Sequence, residues 1–284
     1  MLFMNTGLMA TERLDNPKWG PLTERLRSVQ GIISDMDGVL YHGNALLEGA
    51  AEFVHWLRKE NRRFLFLTNS SQRSRKELQE KLYRLGIEVE IDHFYTSALA
   101  TAGYLAAQTP NGSAYVVGDA GLTNALYNVG YTMNEVNPDY VVIGETRNYS
   151  FEQIEKAIAL VMKGAKLIGT NSDISGPTEQ GIAPGCGALI KPIELVTGVT
   201  AYFVGKPNPL MMRQAMKRIE CRREETLIVG DRMDTDIVAG IESEINTVLV
   251  LSGVSGAAEL RQFAYQPDYI LTGVGRFPQL TSDK

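Results

Sequence analysis

Two aspartates one residue apart, Asp35 and Asp37, follow the short apolar run Gly31-Ile32-Ile33-Ser34 and precede Gly38. In a strand, residues i and i+2 leave the same face, so both carboxylates reach one point in space while Met36 turns the other way. That geometry suits a nucleophile and a proton carrier. Polar residues recur where other apolar runs stop: Thr68 and Asn69, then Lys206, then Asp231 and Asp236. Ligands of an open parallel sheet bind beyond the carboxyl ends of its strands, where side chains from separate strands converge. The spacing therefore predicts one site assembled from four strand ends.

The elements that must hold these residues alternate between strand and helix from residue 31 onward, which predicts a doubly wound α/β fold with a parallel sheet. Ala50 to Glu60 carries Phe53, Val54 and Leu57 on one helical face, and Arg63 to Leu67 reads as a buried strand. Ser74 with Glu77 and Ser150 with Gln153 have the spacing of capping boxes. Strands are expected at Ala114 to Gly118, Tyr140 to Gly144, Lys166 to Gly169, Tyr202 to Val204, Thr226 to Val229 and Thr247 to Leu251. Asn208 with Pro209 opens a helix whose Met212, Ala215, Met216 and Ile219 form an apolar stripe, read as core. The stretch from Thr170 to Gly187, rich in Gly, Pro and small polar residues, is too long for a routine connection and reads as a loop with a function.

A chain of 284 residues favours two domains, and its net charge of −5 carries no basic surplus for a nucleic-acid groove or an anionic membrane. An anionic substrate would need a local cation or a metal. Cys186 and Cys221 have no CxxC spacing, and no run approaches the ~18 apolar residues of a membrane span, so a reduced cytoplasm is expected. Met1 to Ala10 reads as a frayed extension or an early start, not a targeting segment. His42, His55 and His93 show no metal spacing and read as surface or packing residues, and Cys186 as a small residue between glycines.

Asp35-Met36-Asp37-Gly38-Val39-Leu40, Thr68-Asn69, Gly205-Lys206-Pro207 and Gly230-Asp231-Arg232-Met233-Asp234-Thr235-Asp236 resemble the four motifs of haloacid-dehalogenase-type phosphatases. Tyr95-Thr96-Ser97-Ala98, Tyr140 to Tyr149, Pro184 to Leu189 and Leu251-Ser252-Gly253-Val254 are similar to the NagD subfamily. The resemblance runs from about residue 31 to 273. It implies a Rossmann-like core from 31–99 and 200–284, a large inserted α/β cap at 100–199, and an N-terminal extension at 1–30.

The same resemblance implies Mg²⁺, held by a carboxylate oxygen of Asp35, the backbone carbonyl of Asp37, and Asp231. Asp236 would bind the metal or orient one of its waters, a place the motif spacing gives to Asp236 over Asp234. Asp35 would be the nucleophile of a phosphomonoesterase and Asp37 its general acid and base, with Thr68, Asn69 and Lys206 holding the phosphoryl group. Ribonucleoside monophosphates such as UMP are the first expected substrates and sugar phosphates the next. The competing class is a metabolite-binding protein that kept the fold and lost turnover, against which the intact Asp35, Asp37, Lys206 and Asp231 argue. The expected partner is a small phosphate ester, with no nucleic-acid polymer and no membrane, and the oligomeric state is open to a homo-oligomer.

Overall fold

A computed structural model describes residues 12–178 and 181–281, so the expectation for Met1 to Ala10 lies outside the described residues, as do Glu179 and Gln180. The chain divides into two compact units. One is built from both chain ends, up to Arg63 and from Cys221, and the other runs continuously over Phe64–Glu220.

In the first unit, four parallel strands lie in the order Tyr269–Leu271, Asn246–Val250, Thr226–Gly230, Gly31–Ser34. Every residue of all four strands is buried. A parallel sheet covered on both faces gives such continuous apolar runs instead of alternation. Helix Ala50–Lys59 buries Phe53, Val54, Trp56 and Leu57, the face that the sequence spacing predicts. Phe53 and Trp56 meet Phe277 of helix Arg276–Thr281 at ring-centroid distances of 5.1 and 5.5 Å.

Residues 12–28, for which sequence offered no role, close one edge of this sheet. Arg13 exchanges backbone hydrogen bonds of 2.9 and 3.0 Å with Ile270 in an antiparallel bridge. Glu12 pairs with Arg276 at 2.9 Å, and the Asn16 amide donates to Asp268. Helix Leu22–Ser28 then buries Leu22 and Leu26. An open edge strand is a template for unwanted pairing, and this segment covers one.

In the second unit, the strand Arg63–Thr68, which enters it at Phe64, pairs in parallel with Phe94–Thr96. A further five strands, all parallel, take the order Tyr202–Phe203, Lys166–Gly169, Tyr140–Ile143, Ser113–Val117, Thr132–Met133. Val117, Val141, Ile143, Leu160, Leu167, Ile190 and Ile193 form the core against helices Phe151–Met162 and Cys186–Thr197. Both expected capping boxes are formed, at Ser74 with Glu77 and at Ser150 with Gln153. Asn208 caps helix Pro209–Arg218, whose Met211, Met212 and Ala215 are buried.

The stretch from Thr170 to Gly187 is not a plain loop. Ser175–Thr178 and Gly181–Pro184 pair as an antiparallel hairpin, and a helix has begun by Cys186. Ile182 is exposed, so the hairpin has no buried alternation for the sequence to display. Among the described residues, no helix is long and apolar enough to cross a membrane.

Candidate active site

Gly31–Ser34 and Thr226–Gly230 run side by side, with Ile33 opposite Ile228 and Ser34 opposite Val229. That pairing delivers Asp35 and Asp231 to the same end of the sheet, and the Asp35 N–H donates to the Val229 carbonyl at 2.8 Å. Asp35, Asp231 and Asp236 each offer a carboxylate oxygen, all within 4.8 Å of one another. Asp231 and Asp236 are buried, Asp35 partly so, and Met36 is fully buried as alternation predicts.

Local backbone explains how the three converge. Met233–Ile237 is a single π-helical turn in which the N–H groups of Asp236 and Ile237 both reach the Arg232 carbonyl at 3.1 Å. Such turns recur at functional sites because they re-aim a side chain. Here the Asp236 carboxylate folds back to accept from the Arg232 N–H at 3.1 Å, over Gly230, where a Cβ would collide with it. Asp231 lies between Gly38 and Gly253, and a Cβ on either would strike its carboxylate. The Val254 N–H donates to that carboxylate at 2.7 Å. Gly38 has φ of +77°, a conformation glycine adopts without strain.

Three carboxylates this close repel one another by about 3 kcal/mol per pair at an effective dielectric of about 20. Their donor atoms are all oxygens, which is the chemistry of a hard divalent cation. The two glycine positions leave the Asp231 carboxylate seated without steric conflict. The residues present therefore fit such an ion.

Asp37 is exposed and sits 3.7 Å from His42 Nδ1. His42 is a surface residue as expected, but the small hairpin Tyr41–His42 with Ala45–Leu46 carries it beside Asp37. His93 is a packing residue: its ring stacks on Phe64 at 3.8 Å. Asp234 points to the surface and pairs with Arg232 at 2.7 Å, whereas Asp236 joins the acidic group.

In the second unit, Thr68, Asn69 and Lys206 share one corner. The Thr68 hydroxyl accepts from the Ser70 N–H at 3.1 Å. Asn69 uses both ends of its amide on Lys206, accepting from its N–H at 2.8 Å and donating to its carbonyl at 3.0 Å. A Cβ at Gly205 would strike the Thr170 carbonyl and the Asn69 amide oxygen, so glycine permits this approach.

Sequence reasoning did not single out two polar residues of the same corner, Asn171 and Glu145, which join Asp173 of the Thr170 to Gly187 stretch. Asn69 also donates to Asp173 at 3.1 Å, and Asn171 donates both to the Asn69 carbonyl at 2.8 Å and to Glu145 at 3.3 Å. Burial, with the like charge of Asp173, pushes the Glu145 carboxyl up to about 7. Cys186 is buried with its thiol donating to the Ile143 carbonyl, and burial pushes it up to about 11, which fits an inert packing role.

Residues 32–132 match the family model described as haloacid dehalogenase-like hydrolase, and residues 203–276 match a second model of HAD-hydrolase-like proteins. A dihydroxyacetone phosphatase of Corynebacterium glutamicum is 43% identical over 85% of this chain and 88% of its own length. The ribonucleotide monophosphatase NagD of Escherichia coli is 40% identical over 87% of this chain and 97% of its own. The solved NagD structure superposes with a TM-score of 0.83, covering 88% of this chain and 98% of NagD. The 4-nitrophenylphosphatase of Thermotoga maritima superposes at 0.88 with 31% identity, covering 91% and 99%.

Proposed function

The chain belongs to the haloacid dehalogenase-like hydrolases as a NagD-like phosphatase of small phosphate esters, and on that premise we propose that Asp35 carries the phosphoryl group during turnover. The observation that supports this reading is the meeting of Asp35, Asp231 and Asp236 at the ends of two neighbouring parallel strands. In the first step an Asp35 carboxylate oxygen bonds to phosphorus as the ester P–O bond breaks, and Asp37 gives its proton to the departing oxygen. In the second, Asp37 takes a proton from a water whose oxygen attacks phosphorus, releasing phosphate and regenerating the Asp35 carboxylate.

The residues that would hold Mg²⁺ are Asp35, Asp231 and the Asp37 backbone carbonyl, with Asp236 binding directly or through water. When bound, the ion offsets the charge of the carboxylates and the phosphoryl oxygens. Thr68 and Asn69 bind phosphoryl oxygens, and the Lys206 ammonium balances the negative charge that builds on them. Residues 31–99 and 200–284 act as the catalytic core and 100–199 as the cap that selects the leaving group.

For the leaving group, ribonucleoside monophosphates such as UMP are the first reading, supported by the likeness to NagD. A small sugar or triose phosphate is the second, supported by the likeness to the dihydroxyacetone phosphatase. The decisive measurement is phosphate release from UMP, dihydroxyacetone phosphate and hexose phosphates, with Mg²⁺ and after exhaustive chelation. Hydrolysis that EDTA silences and Mg²⁺ restores is expected. Silence on every ester with Mg²⁺ present overturns the reading, and full activity of metal-free protein overturns the role of the acidic cluster.

A further inference from the structure

Glu145 is a half-buried carboxylate that the proposed chemistry leaves unused, and it is tied by hydrogen bonds to the residues that chemistry does use. The ties run both ways to the segment after Thr68: the Ser71 N–H donates to Glu145 Oε2 at 3.2 Å, and the Glu145 N–H donates to Ser71 Oγ at 3.1 Å. A Cβ at Gly144 would strike Ser71 Oγ, so glycine allows this close approach. The other carboxylate oxygen accepts from Asn171 Nδ2 at 3.3 Å, and the same amide nitrogen holds the Asn69 carbonyl at 2.8 Å. Ser97 Oγ donates to that carbonyl as well. Asn69 in turn grips the Lys206 backbone from both sides. Asn171 Oδ1 accepts from the Asp173 N–H at 3.1 Å, and the Asp173 carbonyl accepts from Gly187 N–H at 2.9 Å at the foot of the hairpin.

We propose that Glu145 is a positioning residue, which through Asn171 fixes Asn69 and the Lys206 backbone in the geometry that receives the phosphoryl group. This inference rests on the functional reading above. Burying a carboxyl is costly, and a packing role alone would be served by an apolar side chain of similar volume. What an apolar side chain lacks is acceptors for two separate segments, one after Thr68 and one before the hairpin. Glu145 supplies them, and partial burial with two hydrogen-bond anchors removes the freedom that a surface carboxylate would have. Catalysis depends steeply on such placement, since a shift of about 1 Å can cost on the order of a hundred-fold in rate.

The test uses the full chain and p-nitrophenyl phosphate, whose small activated leaving group isolates events at phosphorus. Glu145→Ala is expected to lower kcat roughly ten- to a hundred-fold with KM within about threefold of the parent. Glu145→Gln, which keeps an acceptor for Asn171, recovers most of that loss. Asn171→Ala causes a similar fall in kcat, and the double variant Glu145→Ala/Asn171→Ala is no worse than the poorer single one, as expected of two residues in one chain of contacts. Folded Glu145→Ala with the parent kcat overturns the proposal, as do losses that simply multiply in the double variant. A lowered Tm with unchanged kcat marks a purely structural role and also overturns it. If Glu145→Ala does not fold, Asn171→Ala and Glu145→Gln decide: parent-level kcat in both overturns it. Parent protein silent on every ester removes the functional reading and this inference together, whereas a parent that turns over, depends on Asp35 and is matched by Glu145→Ala loses the inference alone.

Discussion

Asp35 and Glu145 are both carboxylates near strand ends, and their surroundings give them opposite uses. Asp35 follows a fully buried strand and has two neighbouring acids, whose carboxylate oxygens lie within 4.8 Å of its own. Asp35→Asn should lower kcat by at least about a thousand-fold while the circular dichroism spectrum stays that of the parent. Substantial steady-state turnover by the variant would contradict covalent attack. Glu145 is instead held toward its protonated form, with a carboxyl raised from 4.5 to about 7 by burial first and then by Asp173. Below about 4.5 folded and unfolded chains are both protonated and its contribution to stability is complete. As pH rises the unfolded chain gives up its proton first, so stability is lost until the folded carboxyl ionises near 7, a change of roughly 3 kcal/mol. Glutamine does not titrate. Urea unfolding of Glu145→Gln and parent should therefore diverge between pH 5 and pH 8, in the variant's favour at the higher pH, and an equal gap at both values would refute the raised carboxyl. The strand end that carries Asp35 was legible in the sequence because the apolar run before it is local. Glu145 was not, because Ser71 and Asn171, which hydrogen-bond to it, and Asp173, whose like charge acts on it, come from distant segments.

Among the elements, those with strong local signals were read closely and those shaped by tertiary pairing were not. Ser74 and Ser150 announce their helices by capping chemistry, and Asn208-Pro209 does the same. Phe94–Thr96 is too short to show a period, and the π-helical turn Met233–Ile237 has no composition of its own. The hairpin Ser175–Thr178 with Gly181–Pro184 is the clearest miss, since Pro and Gly in both strands argue for a loop. Its foot is tied to Asn69 through Asp173, while Ile174 and Ile182 are exposed. Replacing residues 175–184 with a short Gly/Ser linker should flatten the ranking of UMP against sugar phosphates by kcat/KM and leave p-nitrophenyl phosphate hydrolysis in place. An unchanged ranking in a folded variant would move specificity to another part of the cap.

On the scale of the whole molecule, the first unit is made from both ends of the chain, and its outer edge is finished by residues 12–28. Removing residues 1–21 should lower Tm by about 5 °C or more, because the Arg13 bridge, the Glu12 pair with Arg276 and the Asn16 contact go together. A Tm equal to the parent would show that the edge strand needs no cover. The doubly wound plan was legible from the alternation of strand and helix. The use of residues 12–28 was not, since two-residue strands carry no pattern. That two-ended construction also has a consequence for birth of the enzyme on the ribosome. Synthesis runs from the N-terminus, and Gly31–Ser34 emerges long before its neighbour Thr226–Gly230 exists. Asp35 thus waits, solitary and powerless, through the making of the entire intervening unit. Its two acidic companions arrive only with Asp231 and Asp236, so a chain that stalls or is truncated earlier carries Asp35 without the other two carboxylates of the group.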